Sequence, residues 1–282
     1  MPALLYVLLV AGLPLLQGLW YSLFDYNLLR PNRRAFVGLA NYARLAADPT
    51  ARAAIRNTFA FTIIAVGLEF ALGLALAILL WRDGLFERVA LALLLVPVSI
   101  TPLAVGLVFK ALLSAEFGYI GYWARDLGLV GERGFFGYPG SAFAAIVLID
   151  AWQWTPLMAL ILLAGLKAIP GEMLEAAEVD GAGFLQKLRL VILPMLLPAV
   201  FLALVLRTMD AFRLFDSVFV TTKGGPEEAT DVLQFYAVKQ GLEFFNVGYA
   251  SSLSALMLAC IGLLAAAYVV VVRRADRRYA GA

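Results

Sequence analysis

Six long apolar stretches constrain this chain more than any other feature. A bilayer core about 30 Å thick is crossed by roughly 20 helical residues rising about 1.5 Å each. Runs of that kind fall at residues 4–24, 59–81, 89–113, 141–166, 193–214 and 249–272. The 282 residues are 63% hydrophobic and only 15% charged, too apolar a balance for a water-soluble domain. Segments such as "LALAILL" and "AAAYVVVV" are continuously apolar, whereas a β-barrel needs short alternating runs. The expected fold is therefore an all-α membrane protein with six transmembrane helices in one domain spanning residues 1–282. The first run has neither a basic flank before it nor a small-residue cleavage site after it, so it is expected to be retained, although the missing flank leaves open a start further upstream.

Composition also narrows the chemistry. Histidine is absent and Cys260 is the single cysteine, which removes intrachain disulfides, multi-cysteine metal sites and every mechanism that needs an imidazole base. A net charge of +2, scattered along the chain, gives no footprint for nucleic acid. Six spans place both termini on one side, and the tail "RRADRR" at 273–278 argues for the cytoplasm. Against that stand Arg30, Arg33, Arg34, Arg44, Arg52 and Arg56 in the first outer loop, so charge bias alone leaves the orientation undecided.

The connection at 167–192 is the largest excursion on the tail's side. Glu172, Leu174, Glu175, Ala176, Ala177 and Glu178 favour helix, Gly181 and Gly183 permit a sharp bend, and residues 184–190 suit a second short helix. Pro194 then fits the first turn of the next span. Small side chains at Ala176, Ala177, Gly181 and Ala182 allow another backbone to approach, with Glu175 and Asp180 supplying charges to orient it.

The spacing in "EAAEVDGAGFLQKLRLVILP" resembles the EAA loop of ABC importer permeases. Glu175, Ala176, Ala177, Gly181, Leu193 and Pro194 fall on the motif, and Val191 departs from it where isoleucine is usual. "FDSVFVTTKGGPEEATDVLQFYAV", "GYASSLS" and "FVGLANYARL" are similar to the carbohydrate branch, the maltose-permease-type first subunit. The resemblance implies that the loop faces the cytoplasm and that Glu175, Ala176, Ala177, Asp180, Gly181, Ala182, Gly183, Leu193 and Pro194 form the ATPase-coupling element. It also implies a second homologous permease as heterodimer partner, two ATPase subunits, an extracytoplasmic solute-binding protein and a sugar substrate. The setting it implies is a bacterial or archaeal cytoplasmic membrane, with the termini expected on the cytoplasmic side. No segment matches G-x-x-x-x-G-K-[ST], so the chain is not expected to hydrolyse ATP by that chemistry; the resemblance implies no cofactor in this chain and ATP with Mg in the partner ATPase.

Ionisable residues within spans mark a candidate path. In span four, Asp150, Gln153, Trp154 and Leu157 share one helical face while Trp152 points away. Trp154 stands about 20 Å along that span, too deep for an interfacial belt, and an indole beside Asp150 and Gln153 suits a sugar; the family resemblance also implies a pocket on this helix. In span five, Arg207 and Asp210 are deep enough to meet substrate, while Arg213 and Asp216 suit a structural pair near the outer gate. Arg207 keeps an anionic polyol phosphate open as an alternative cargo. Glu69, alone in span two, is expected to pair with a basic group such as Lys110. In span three, Pro97 and Pro102 bracket Ser99 and Thr101, whose hydroxyls are expected to bridge freed carbonyls at a break lining the path. Two other classes remain: a proton-coupled secondary transporter using Glu69 or Asp210, although the halves show no convincing repeat, and an intramembrane enzyme, for which no nucleophile stands beside a base.

Overall fold

The computed structural model describes residues 5, 6 and 8–280, without the side chains of 184 and 271–280. Leu4, where the first expected span begins, and the side chains of the basic tail at 273–278 lie outside the described residues. A π-helical turn, Leu8–Gly12, leads into α1 (Leu13–Tyr21). A two-stranded antiparallel hairpin follows, β1 (Phe24–Asp25) and β2 (Ala35–Phe36), in register Phe24↔Phe36. Then come α2 (Ala40–Ala47), α3 (Pro49–Leu79), α4 (Leu85–Ser99), α5 (Pro102–Leu112) and α6 (Tyr119–Asp126). The second half contains α7 (Pro139–Lys167), α8 (Gly171–Val179), α9 (Phe184–Lys187), α10 (Leu193–Ala211), α11 (Asp216–Val220), α12 (Leu233–Val238) and α13 (Val247–Ala280).

Among the described residues four helical segments are long and apolar enough to cross a membrane: α3, α7, the run Leu185–Val220 that contains α10 and α11, and α13 through Val270. Counting the α4–α5 pair as one span makes five. The first expected span is a shorter apolar helix, Leu8–Tyr21. Expected boundaries were short at several ends: α3 begins ten residues before its apolar run because Asp48 caps it, accepting from the Thr50 and Ala51 N–H groups at 2.9 and 3.4 Å, with Pro49 in the first turn.

The break expected in span three is present and sharp, with α4 and α5 meeting at 95°. Thr101 precedes Pro102 and is held extended (ψ 140°), as the proline ring requires, so the helix stops and Pro102 starts the next one. One expectation needs correction: residues 184–190 do not form a separate short helix. α9 passes through a π-helical turn, Leu188–Ile192, straight into α10. Pro194 lacks an N–H and crowds the carbonyl four residues back, and the wider turn just before it relieves that conflict. The same spacing recurs at the start of the chain, where the π-turn Leu8–Gly12 precedes Pro14.

The core is the bundle of α3, α7 and α10, joined through Phe61, Ala65, Met158, Leu162, Leu196 and Ala203. Small residues set how closely these helices cross. A Cβ on Gly73 of α3 would lie 2.7 Å from Met158 Cγ and 3.1 Å from the Ala159 nitrogen of α7. One on Gly165 of α7 would lie 2.5 Å from Ala199 Cβ of α10. Close backbone approach of this kind is how helices associate in lipid, where apolar burial alone gives no preference.

Candidate functional site: a buried ion cluster and a helical elbow

α3, α7 and α10 bring four ionisable side chains to one point. Arg207 Nε and Nη2 donate to Glu69 Oε2 and Oε1 at 2.7 and 2.8 Å. Nη2 also donates to Asp150 Oδ2 at 2.7 Å, and Nη1 to Asp210 Oδ2 at 2.5 Å. The guanidinium carbon lies 5.1 Å from the Trp154 ring centroid, a cation–π contact. Arg207 is 1% exposed and Glu69 fully buried, whereas the Asp210 side chain is 55% exposed. Arginine is suited to this role because its planar fork presents several donors at once and stays charged. The pairing of Glu69 with Lys110 is therefore corrected: Lys110 Nζ donates instead to the Val220 carbonyl at 2.8 Å.

Above the cluster sits a cavity of about 60 Å³, bordered by Asp150, Trp154, Asp210, Arg213, Phe215 and Asp216. A space of that size holds ordered water and is too small to enclose a sugar ring. Arg213 and Asp216 make no ion pair with each other, contrary to the expected structural pair, and both face this cavity. Trp152 points outward at 44% exposure, as its helical phase predicts, and packs edge-on against Phe109. Gln153 is buried, with its Nε2 donating to the Ile100 carbonyl at 2.9 Å, so it clasps the break between α4 and α5. Leu157, half-buried one turn further on, does not border the cavity. Ser99 and Thr101 are both exposed. The hydroxyl of Ser99 donates to its own helix at Leu95 O (2.7 Å) and Thr101 makes no side-chain cap, so neither bridges the carbonyls that Pro97 and Pro102 free four residues back, at Leu93 and Val98.

The second constellation is an elbow at the far end of α7. α8 ends in a Schellman turn: Ala182 N–H donates to Ala177 O at 2.9 Å, Gly181 N–H to Glu178 O at 3.0 Å, and Gly181 sits at φ +77°. Gly183 N–H then donates to Gln186 Oε1 at 2.8 Å, a half capping box that starts α9. Lys187 grips Glu178 across the bend at 2.5 Å, and this cation holds the Glu178 carboxyl below its usual range. Behind the elbow, Lys167 binds Asp83 and Glu87 at 2.7 and 2.5 Å, joining the end of α7 to the start of α4. Glu175, Ala176, Asp180, Gly181 and Gly183 are exposed, Ala177, Ala182, Leu193 and Pro194 half-buried. Exposed Met173, Val179 and Leu185 add apolar surface to it.

The model of the family described as the binding-protein-dependent transport system inner membrane component matches residues 48–281. The chain belongs to that family. A probable ABC transporter permease of Sinorhizobium fredii is 36% identical over 259 residues, covering 90% of this chain and 82% of that protein. The trehalose/maltose transport system permease of Thermococcus litoralis is 35% identical over 248 residues, covering 88% and 82%. The trehalose transport system permease of Mycobacterium tuberculosis is 33% identical over 276 residues, covering 95% and 85%. A solved bacterial ABC transporter that imports the acidic polysaccharide alginate matches with TM-score 0.82 at 18% identity, over 98% of this chain and 93% of that one, which establishes the shared fold.

Proposed function

We propose that this chain is the transmembrane permease subunit of an ATP-driven, binding-protein-dependent sugar importer. The observation that carries the reading is the elbow: a Schellman turn at Gly181, a salt bridge across the bend and an unbroken helical run from Phe184 to Ala211 make one rigid lever from the exposed EAA surface to the buried cluster. Rigid levers of this sort pass a subunit's motion into the membrane as rigid-body rotation. In this reading the elbow faces the cytoplasm, the termini lie on the same side, and the first apolar helix completes six spans. A partner ATPase holds ATP and Mg, a second permease forms the other half of the path, and an extracytoplasmic solute-binding protein delivers cargo.

Sugar as cargo is supported by relatives whose names specify trehalose and maltose transport, and by an indole beside carboxylates at mid-span. Asp150, Trp154 and Asp210 are the contacts we assign to it, with Arg207 positioning them. A cavity of about 60 Å³ fits a closed state that opens, in alternation, when the ATPase pair moves the elbow. A proton-coupled carrier using Glu69 or Asp210 is the weaker reading, since Arg207 holds both carboxylates as ion pairs. Reconstitution in proteoliposomes tests the choice. Uptake of labelled trehalose that requires internal ATP and the ATPase subunits supports the importer, whereas uptake driven by a proton gradient without ATPase subunits contradicts it.

A further inference from the structure

Arg207 is the one deep cation near the cavity among the described residues, yet it is not available to a ligand. Glu69 takes two of its donors in a two-point grip, Asp150 and Asp210 take others, and Trp154 covers one face of the guanidinium. Glu69 itself is fully buried and does not border the cavity, while Asp150, Asp210 and Asp216 do. Three carboxylates thus share one guanidinium within the cluster, and of the charged groups that border the cavity Asp150, Asp210 and Asp216 outnumber the one exposed cation, Arg213. A carboxylate accepts hydrogen bonds from sugar hydroxyls and repels an anion, and an unfavourable charge discriminates between ligands as effectively as a favourable contact.

We propose that Glu69 is a specificity-determining residue: by occupying Arg207 it leaves a carboxylate-lined cavity that takes uncharged, hydroxyl-rich sugars and rejects uronates, sulfonates and phosphates. The inference rests on the sugar-permease reading and names the charge class of its cargo. It acts through Arg207, so Glu69 is a positioning residue that touches no ligand.

Collisional quenching of Trp154 reads the cavity's charge without requiring transport. The chain is reconstituted alone in phosphatidylcholine vesicles, with Trp20, Trp81, Trp123 and Trp152 replaced by Phe so that Trp154 is the one emitter. Iodide, caesium and acrylamide are compared at fixed ionic strength. In Glu69→Gln the iodide-to-acrylamide ratio is expected to rise and the caesium-to-acrylamide ratio to fall, each by about threefold, the effect of losing one unit charge whose potential energy at the indole is about RT. Unchanged ratios overturn the proposal, and so does an equal rise for all three quenchers, which means a loosened cavity. The double variant Glu69→Gln/Arg207→Gln removes both charges of the pair and is expected to keep the original ratios even if the single variant fails to insert. A raised iodide ratio in the double variant also overturns it. Failure of the ATP-driven uptake assay, with quenching as expected, contradicts sugar import while leaving the charge selection standing.

Discussion

Arg207 concentrates the energetics of the membrane interior at one residue. A buried ion pair contributes modestly as a whole, but removing one partner leaves an uncompensated charge and destabilises by about 3–5 kcal/mol. Arg207→Gln strands Glu69 and Asp150 and is expected to lose stability of that order, while Glu69→Gln/Arg207→Gln recovers part of it. A double-mutant cycle by thermal unfolding in detergent checks this; equal losses in the single and double variants contradict it. Asp150, Arg207 and Asp210 were legible as candidates because charges inside apolar runs stand out. Their mutual contact, and the role of Glu69, were not. A featureless apolar helix such as α3 does not disclose which way its lone glutamate faces, so sequence alone does not separate a lysine in the next span from an arginine 138 positions away as its partner. The signal, in hindsight, was one deep arginine with an excess of deep carboxylates.

At the scale of elements, the segment between α11 and α12 is pinned to the N-terminal part of α3. Asn57 Nδ2 donates to Glu228 O and Asp231 O at 2.8 and 3.0 Å, and Leu233 N–H donates to Thr58 Oγ1 at 2.8 Å. Asp231 is 2% exposed and its Oδ1 has no partner among the described residues. Burial pushes its carboxyl from the ordinary 3.8 up to about 7, with Lys239 opposing and Glu228 adding to the rise. A raised folded-state value means the stabilisation is fully present below about 3.8 and is lost as pH climbs through about 7. Hydrogen exchange across 222–238 is therefore expected to quicken between pH 5 and pH 8 in the native chain, beyond the intrinsic rate, and to lose that dependence in Asp231→Asn. Asp48, by contrast, is raised by burial but held lower overall by hydrogen bonds from Tyr249, Tyr236 and the Ala51 and Thr50 N–H groups, so its contribution fades only toward acid.

The elbow was the most legible element. Its motif spacing placed Gly181 at the bend, where φ +77° excludes most side chains. The bend in span three was half legible: Pro97 and Pro102 marked it, but the 95° angle and the clasp by Gln153 depend on where α7 lies. The fusion of α9 with α10 was missed because a proline normally starts a helix, and a π-turn that absorbs one leaves no composition of its own.

For the whole molecule, the permease fold turns on a few close crossings that keep the α3–α7–α10 bundle rigid. Gly165→Leu would force α7 off Ala199 of α10 and is expected to lower the unfolding temperature by several degrees while leaving the exposed face of α8 unaltered. An unchanged unfolding temperature argues against the crossing as a structural determinant. The apolar spans were readable from sequence because a bilayer imposes a length; partner contacts are not encoded in that pattern. The central claim is that the exposed elbow drives the bundle. It is tested most directly by ATP-driven sugar uptake in proteoliposomes containing Gly181→Glu or Glu175→Lys, with membrane insertion checked in parallel. The account predicts normal insertion and abolished uptake; uptake at the native rate in both variants would contradict it.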